Sequence, residues 1–439
     1  MAAAVKTPWG DATKLRERML QPGLRVPAEE VAQNQRERLF AAMVASCAER
    51  GYERTSVADL IDLSGVSRAA FYELFENKGD CFKATTEALM AAAISLVSRA
   101  YQGSGPWEER ARAALGTLLE LAAAQPAAAR LCLVEAYAAG PAGLEPLDRA
   151  VDQLGVLGRQ ALEQIPGRSG VTEELSRAII GGFHTVLYER LHSHRESELP
   201  GLTQSLWDWS MSYSTPPAPL RARLRRPPEA ERAVAQMPPF ALLDPPQRII
   251  RAFADVLVEK RYADVSIADI VTAASISHRT FYEYFEGKRD LLLAALDSSG
   301  AQMIAATLPA VRRAPDWPRA ARAAFDATCK FLATEPGFAR LRVIEVYAAG
   351  PEAIAQRNRA GLEVLEAVLS PAFERTPEVN PIALEAILGA AYTVLTDRLR
   401  SDGPEGLPRA APLMTYVTLA PFLGAEEACE VANDDGRRR

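Results

Sequence analysis

Side chains able to grip a nucleic acid cluster in one stretch, Ser56 to Asp80, which reads Ser-Val-Ala-Asp-Leu-Ile-Asp-Leu-Ser-Gly-Val-Ser-Arg-Ala-Ala-Phe-Tyr-Glu-Leu-Phe-Glu-Asn-Lys-Gly-Asp. Ser56 and Asp59 have capping-box spacing, so a helix should open at Ser56. Ala58, Leu60, Ile61 and Leu63 give that helix an apolar face. Ser64-Gly65 breaks it, because Gly65 accepts a positive-φ turn that other residues resist. Ser67 then caps a second helix. On that helix Phe71 and Phe75 lie four apart and face the core, while Arg68, Ala69 and Tyr72 fall on other faces. Two helices joined in this way make a helix-turn-helix, whose second helix enters the major groove of DNA.

The stretch recurs from Ser266 to Asp290, an offset of about 210 residues, and a repeat of that kind has to be read before any fold. Ser266 and Asp269 repeat the capping pair, Ser277 repeats the second cap, and Phe281 to Lys288 repeat Phe-Tyr-Glu-x-Phe-Glu-x-Lys. The helix that must brace each two-helix reader precedes it. Leu39, Phe40, Met43, Val44 and Cys47 follow the helical period between about Gln35 and Arg50, and Gly51 should stop that helix. Ile249, Ile250, Phe253, Ala254 and Leu257 align with them in the second copy, as does Tyr262 with Tyr52.

The stretches after each reader are helical almost throughout and show no alternating strand pattern. They repeat as well. Arg130-Leu-Cys-Leu-Val-Glu-Ala-Tyr-Ala-Ala-Gly-Pro141 matches Arg340-Leu-Arg-Val-Ile-Glu-Val-Tyr-Ala-Ala-Gly-Pro351. Gly181-Gly-Phe-His-Thr-Val-Leu-Tyr-Glu-Arg-Leu191 matches Gly389-Ala-Ala-Tyr-Thr-Val-Leu-Thr-Asp-Arg-Leu399. The small residues Gly181, Gly182 and Gly389 to Ala391 should let long helices approach closely. Residues of about 171–195 and 199–214 are expected to pair with those of about 379–400 and 406–423 as an intramolecular four-helix bundle.

The expected layout is a basic N-terminal arm (1–33), a first helix-turn-helix domain (34–80), a first helical ligand-binding and pairing domain (81–214), a Pro/Arg-rich linker (215–243), a second helix-turn-helix domain (244–290), a second helical domain (291–424) and a charged tail (425–439), of which Asn433 to Arg439 is left disordered. The arm carries Lys6, Lys14, Arg16, Arg18 and Arg25 among prolines and glycines. It reads either as a disordered leader or as an arm touching DNA phosphate or the minor groove. The linker, with Arg221, Arg223, Arg225 and Arg226, reads as a spacer or as a further phosphate contact.

Bulk properties narrow the classes. The chain has 439 residues, 48% of them hydrophobic, and a formal net charge of −6, which argues against a nonspecific basic nucleic-acid coat. Five cysteines without C-x-x-C spacing fit reduced thiols in a cytoplasm. Met1 to Gly10 lacks a signal-peptide core, and no uninterrupted apolar run of about 18 residues suggests a membrane helix. Glu189-Arg-Leu-His192 has a di-iron spacing, but the second copy has Asp397-Arg-Leu-Arg400 in its place, so no metal site is expected. No enzyme motif stands out, and no cofactor is expected.

The reading unit resembles the TetR family of transcriptional regulators. The likeness rests on the apolar first helix, Ser-x-Ala-Asp-(Leu/Ile), Gly-Val-Ser in the first copy, and Phe-Tyr-x-x-Phe-x-x-Lys-x-Asp; it covers both halves but not arm, linker or tail. It implies an all-α chain of two tandem subunits, each a three-helix reader with a helical ligand-binding and dimerisation bundle, forming an intramolecular pseudo-dimer. It also implies double-stranded DNA and a small apolar effector as partners. A two-chain assembly stays open, as does a helical sensor whose degenerate heads no longer grip DNA. Ser56 and Ser266 would open helices toward phosphate. Ser67, Arg68, Ala69 and Ala70, and Ser277, His278, Arg279 and Thr280, would reach base edges. Tyr72, Tyr282, Lys78 and Lys288 would touch phosphates, although Tyr72 also reads as a packing residue and the lysines as plain helix-entry charges. Cys132, Tyr137, His184, Tyr347 and Tyr392 are the candidate pocket, with core packing as the other reading of Cys132 and Tyr137. Ser275 replaces the turn glycine, Leu74 stands where Tyr284 stands, and Arg68 and Arg279 are out of register by one position. The expected operator is therefore an asymmetric pseudo-palindrome, with half-sites roughly 34–36 Å apart.

Overall fold

The computed structural model describes residues 5–20, 27–164, 171–222 and 243–434. They form two compact units, one from the described residues within 1–164 and 184–207, the other from those within 165–183 and 208–439. Apart from one two-stranded ribbon, β1 (Lys6–Thr7) with β2 (Gly10–Asp11), the described secondary structure is helical.

The first reading head consists of α1 (Ala28–Arg54), α2 (Val57–Ser64) and α3 (Arg68–Leu74). The capping box at Ser56 forms: Asp59 N–H donates to Ser56 Oγ at 3.2 Å, and Ser56 N–H donates to Asp59 Oδ2 at 2.8 Å. Gly65 ends α2 in the left-handed region at φ 68, and Ser67 Oγ accepts from Ala70 N–H at 3.1 Å to open α3. Leu39, Met43, Val44, Leu60 and Phe71 are wholly buried, and Phe75 packs on both Phe40 and Phe71. Full burial of one such side chain stabilises by about 1.5–3 kcal/mol, so this small cluster is what holds three short helices together.

In the second unit the head repeats as α11 (Pro245–Glu259), α12 (Ile267–Ala274) and α13 (His278–Tyr284), a numbering that follows α4 to α10 given below. Its turn is made without glycine. Ser275 takes the left-handed conformation at φ 54. A non-glycine residue there costs roughly 1–2 kcal/mol. The Ser266–Asp269 capping box recovers about 1 kcal/mol of that order, and the apolar core the rest.

Several expected boundaries move. Helix α1 starts at Ala28, not near Gln35; Glu29 and Glu30 in its first turn suit the helix dipole, and Gly51 (φ 77) kinks it where a stop was expected. The described part of the arm, residues 5–20, is folded rather than loose. A 3₁₀ helix (Ala12–Arg18) buries Leu15, Trp9 packs on Phe40 at 5.1 Å, and Arg16 donates to the Asp62 carbonyl at 2.5 and 3.1 Å. The arm's cations are thus partly spent on the head itself; Arg25 lies outside the described residues. No boundary falls at 80–81 or 290–291, because α4 (Lys78–Tyr101) and α14 (Lys288–Arg313) run unbroken from head into body. Both helices are long and apolar enough, by length and composition alone, to cross a membrane.

The first body continues with α5 (Trp107–Ala124), α6 (Pro126–Arg130), a π-helical turn (Leu131–Glu135), α7 (Ala136–Ala138), α8 (Pro141–Glu163), α9 (Glu173–His192) and α10 (Thr203–Met211). The second has α15 (Trp317–Thr334), α16 (Pro336–Val343), a 3₁₀ turn (Glu345–Ala349), α17 (Pro351–Arg375), α18 (Ile382–Asp402) and α19 (Ala411–Asn433). The expected tail is helical as far as Asn433, because Ala428, Cys429, Val431 and Ala432 form a buried stripe that outweighs the glutamates around it; residues 435–439 lie outside the described residues. The start of the linker is pinned to that helix: Cys429 Sγ donates to Ala218 O at 3.4 Å, and Arg221 N–H donates to Asn433 Oδ1 at 2.7 Å. Arg223, Arg225 and Arg226 lie outside the described residues.

Within the second unit the pairing helices meet. Arg177 donates to both oxygens of Asp397 at 2.8 and 3.0 Å, and Arg398 donates to Glu174 at 2.9 Å. Tyr213 Oη donates to Val417 O, and Tyr416 Oη to Ser214 O. A Cβ on Gly181 would lie 1.8 Å from Thr393 Oγ1, and one on Gly182 2.3 Å from Trp209 Cη2, so both glycines are required by the close approach.

Two outcomes follow for stability. Ser275→Gly should raise the urea-unfolding free energy of the second head by about 1 kcal/mol, since the turn is kept and its strain removed. The bonds from Ser56, then the charge of Arg50, hold Asp59 below the usual carboxylate range; Lys260 and then Ser266 do so for Asp269. Stability from these caps should be complete above about pH 4 and lost as the pH falls through the depressed values. Circular dichroism on acid titration should show this step shrink in Asp59→Ala and Asp269→Ala.

Candidate nucleic-acid interface

Each head presents its reading helix to solvent. On α3, Ser67, Arg68, Ala69 and Tyr72 are exposed, Tyr72 to 51%, and Arg68 forms no ion pair among the described residues. On α13, Ser277, His278, Arg279, Tyr282 and Tyr284 are exposed, with Tyr282 at 56%. Ala70 and Thr280 are half-buried, their amides engaged by the capping serines. Phe71 and Phe281 are the buried partners on the same helices, each edge-on to the neighbouring tyrosine at 5.3 Å. A tyrosine ring held half in water beside a packed phenylalanine costs apolar hydration unless a partner covers it.

Arg279 makes an i,i+4 pair with Glu283 at 3.2 Å, with 90% of its side chain exposed. Such a surface pair is worth about 0–1 kcal/mol. A bidentate arginine–guanine contact discriminates by about 1–3 kcal/mol, more than such a pair holds.

The lysines already have partners within the chain. Lys78 Nζ donates to the Tyr52 carbonyl at 2.8 Å and sits 4.0 Å over the Tyr52 ring. Lys288 Nζ donates to the carbonyls of Tyr262 and Val265, both at 2.8 Å, and sits 4.5 Å over the Tyr262 ring. Burial pulls both ammonium groups below the ordinary lysine value. They clamp the end of the first head helix to the start of the body helix. Ser56 and Ser266 likewise spend their hydroxyls on Asp59 and Asp269, whose carboxylates already occupy the helix entrances.

The pocket candidates fall into two places. In the first unit Tyr137 and His184 come together, Tyr137 Oη lying 3.3 Å from His184 Nε2, with the Tyr188 ring beside both. Cys132 is buried there, and burial pushes its thiol up to about 12, so it is a packing group at neutral pH. In the second unit Tyr347 and Tyr392 come together around a residue the sequence reading passed over: the Arg357 guanidinium lies 4.9 Å from one ring and 3.9 Å from the other.

A second residue was missed although its signal was present. Glu135 and Glu345 occupy the same place in the repeated Arg-Leu-x-x-x-Glu-x-Tyr motif. Glu135 Oε2 accepts from Tyr52 N–H at 2.7 Å, and Glu345 Oε2 accepts from Tyr262 N–H at 2.9 Å. Burial raises Glu135 above the usual carboxylate value, while the Tyr52 bond and Arg130 pull it down. In the second unit Arg340 donates to Glu345 at 3.0 Å.

A family model described as bacterial regulatory proteins, tetR family, matches residues 39–85 and again residues 249–295. The HTH-type transcriptional regulator EthR of Mycolicibacterium smegmatis is 28% identical over 177 residues, 40% of this chain and 71% of that protein. The HTH-type dhaKLM operon transcriptional activator DhaS of Lactococcus lactis subsp. lactis is 36% identical over 59 residues, 13% of this chain and 32% of that protein. Among solved structures, the fatty acid degradation regulator FadR of Bacillus halodurans covers 40% of this chain and 95% of its own, at 21% identity and a TM-score of 0.37, a likeness too distant to carry an argument. The two family matches coincide with the two reading units built above: the chain belongs to the TetR family of bacterial regulatory proteins, as a tandem duplication.

Proposed function

We propose that the chain is a one-component transcriptional repressor that reads an asymmetric operator with two unlike heads and releases it when a small molecule binds a helical body. The observation that carries this is the pair of exposed, serine-capped helices bearing Arg68 and Tyr72 in one head and His278, Arg279 and Tyr282 in the other. The names of its relatives, a transcriptional regulator and a transcriptional activator, agree with control of transcription, though not with its direction. The arginines supply direct readout, and the tyrosines position each helix on the backbone. Because the arginines are one position out of register, the two half-sites differ.

Coupling runs through the Glu-to-tyrosine-amide bond. Glu135 and Glu345 sit on non-α turns of the bodies, and each holds the main chain where the first head helix ends. A ligand that favours another arrangement of that turn weakens DNA binding by its differential affinity for the two arrangements. The pairing contacts between α9 and α18 support a pseudo-dimer made by one chain, whose tether raises the effective concentration of each half for the other.

Fluorescence anisotropy with DNA from upstream of the gene tests the reading. Binding should weaken steeply with salt. Arg68→Ala and Arg279→Ala should each cost about 1–3 kcal/mol on the composite operator, roughly five- to 150-fold in affinity. Two palindromes, each built from one half-site, should bind more weakly than the composite. Equal, salt-insensitive binding to all sequences would instead mark heads that no longer read DNA. Sedimentation equilibrium should return the single-chain mass of 47.6 kDa at all concentrations; a doubled mass would indicate exchange of halves between chains.

A further inference from the structure

We infer that Glu73 is a specificity-determining residue of the first reading helix. Its carboxylate accepts from the amino group of a cytosine in the first half-site. The second head does not make this contact, because Arg279 holds the equivalent carboxylate. The inference rests on the DNA-reading function proposed above and names one base of one half-site.

Successive side chains on an α-helix step by about 100°. Phe71 and Phe281 are wholly buried, which fixes the inward direction of α3 and α13. Counted from them, Ala69 and Glu73 in the first head stand within about 20° of the direction opposite to the core, as do Arg279 and Glu283 in the second. Arg68 and Tyr72 lie to one side of that line, and Ala70 and Leu74 to the other. Burial agrees with the count: Ala69 and Glu73 are exposed, while Ala70 and Leu74 are half-buried. The pair that faces outward most squarely is therefore Ala–Glu in one copy and Arg–Glu in the other.

The two carboxylates differ in what already holds them. Glu283 accepts from Arg279 Nε at 3.2 Å. Glu73 has alanine in that place and forms no hydrogen bond or ion pair among the described residues. Arg68, five residues before it, lies on another face. A bare carboxylate turned toward DNA is repelled by the phosphates unless it meets a donor. In the major groove the donors are the amino groups of cytosine and adenine. Adenine sets its N7 acceptor beside N6, where it opposes the second carboxylate oxygen, whereas cytosine offers its amino group alone. Glu73 therefore selects cytosine. Ala69, one turn earlier, brings a methyl group suited to a thymine methyl and no charge that would take up the carboxylate. In the second head the matching carboxylate steadies Arg279, whose fork suits guanine.

Selection by the full chain from duplexes randomised across both half-sites, followed by fluorescence anisotropy, tests this. At one position of the first half-site the wild-type chain should prefer C·G to T·A by about fivefold or more, the low end of a good base contact. Arg68→Ala should leave that preference in place. Glu73→Gln, whose amide suits adenine, should move it from cytosine to adenine. Glu73→Ala should flatten it while total affinity holds or rises, since a charge facing phosphate is gone; a merely structural role would lower affinity without touching base preference. Ala69→Arg, which gives Glu73 the partner that Glu283 has, should lower the cytosine preference by about fivefold or more. None of these variants should alter the base preference of the second half-site. No cytosine preference in the wild type, or the same preference in both Glu73 variants, overturns the assignment. If selection enriches no sequence, the DNA-reading function fails and this inference with it. If Arg279→Ala relaxes the second half-site while the Glu73 variants change nothing, the function stands and this inference alone fails. Should a variant unfold, the wild-type preference decides.

Discussion

A glutamate, half-buried in the first copy and buried in the second, accepts one main-chain N–H and ties each head to its body. Tyr52 and Tyr262 follow the points where the first head helices stop being regular, so their amides need an acceptor from outside the helix. Glu135 and Glu345 supply it from turns that are themselves irregular, π-helical in one copy and 3₁₀ in the other. Lys78 and Lys288 close the other side by capping the carbonyls of the same two tyrosines. One residue thus has its N–H held by the body and its C=O held by the helix leading into the body. A buried polar group left without such a partner costs about 1–3 kcal/mol, so this junction resists gradual drift and favours discrete alternatives.

The two copies keep this junction and differ around it. Both retain capping boxes, the buried phenylalanines and the glutamate. They differ at the turn, where glycine became a strained serine, on the reading helix, where the arginine moved by one residue, and in the body, where Cys132 and Leu147 occupy the places of Arg342 and Arg357. What is common to the copies is the transmission between body and reader. What differs is what each reader touches and what each body buries.

Much of this was legible in the residues. The capping serines, the αL turn and the apolar spacing of Phe71 and Phe75 are local, and local chemistry decides them. The close pairing at Gly181 was legible because only a missing side chain permits it. The bond from each lysine was not legible, because a cation at a helix start looks the same whether or not it folds back onto a carbonyl 26 residues earlier. Arg357 was missed because its partners come from three separate elements, and nothing in its immediate neighbours signals burial. The arm was misjudged because proline and glycine suggested looseness, while Trp9 and Leu15 were already sufficient to anchor it.

That anchored arm has a consequence for how evenly the two readers are held. The first reader has a strap lying against its turn, with Arg16 bonded to the Asp62 carbonyl and Asn34 donating to Arg18 O. The second reader has no equivalent among the described residues, and its turn carries strain besides. Among the described residues the two heads are therefore braced unequally. Such an asymmetry is open to one chain with two unlike copies and closed to two identical subunits.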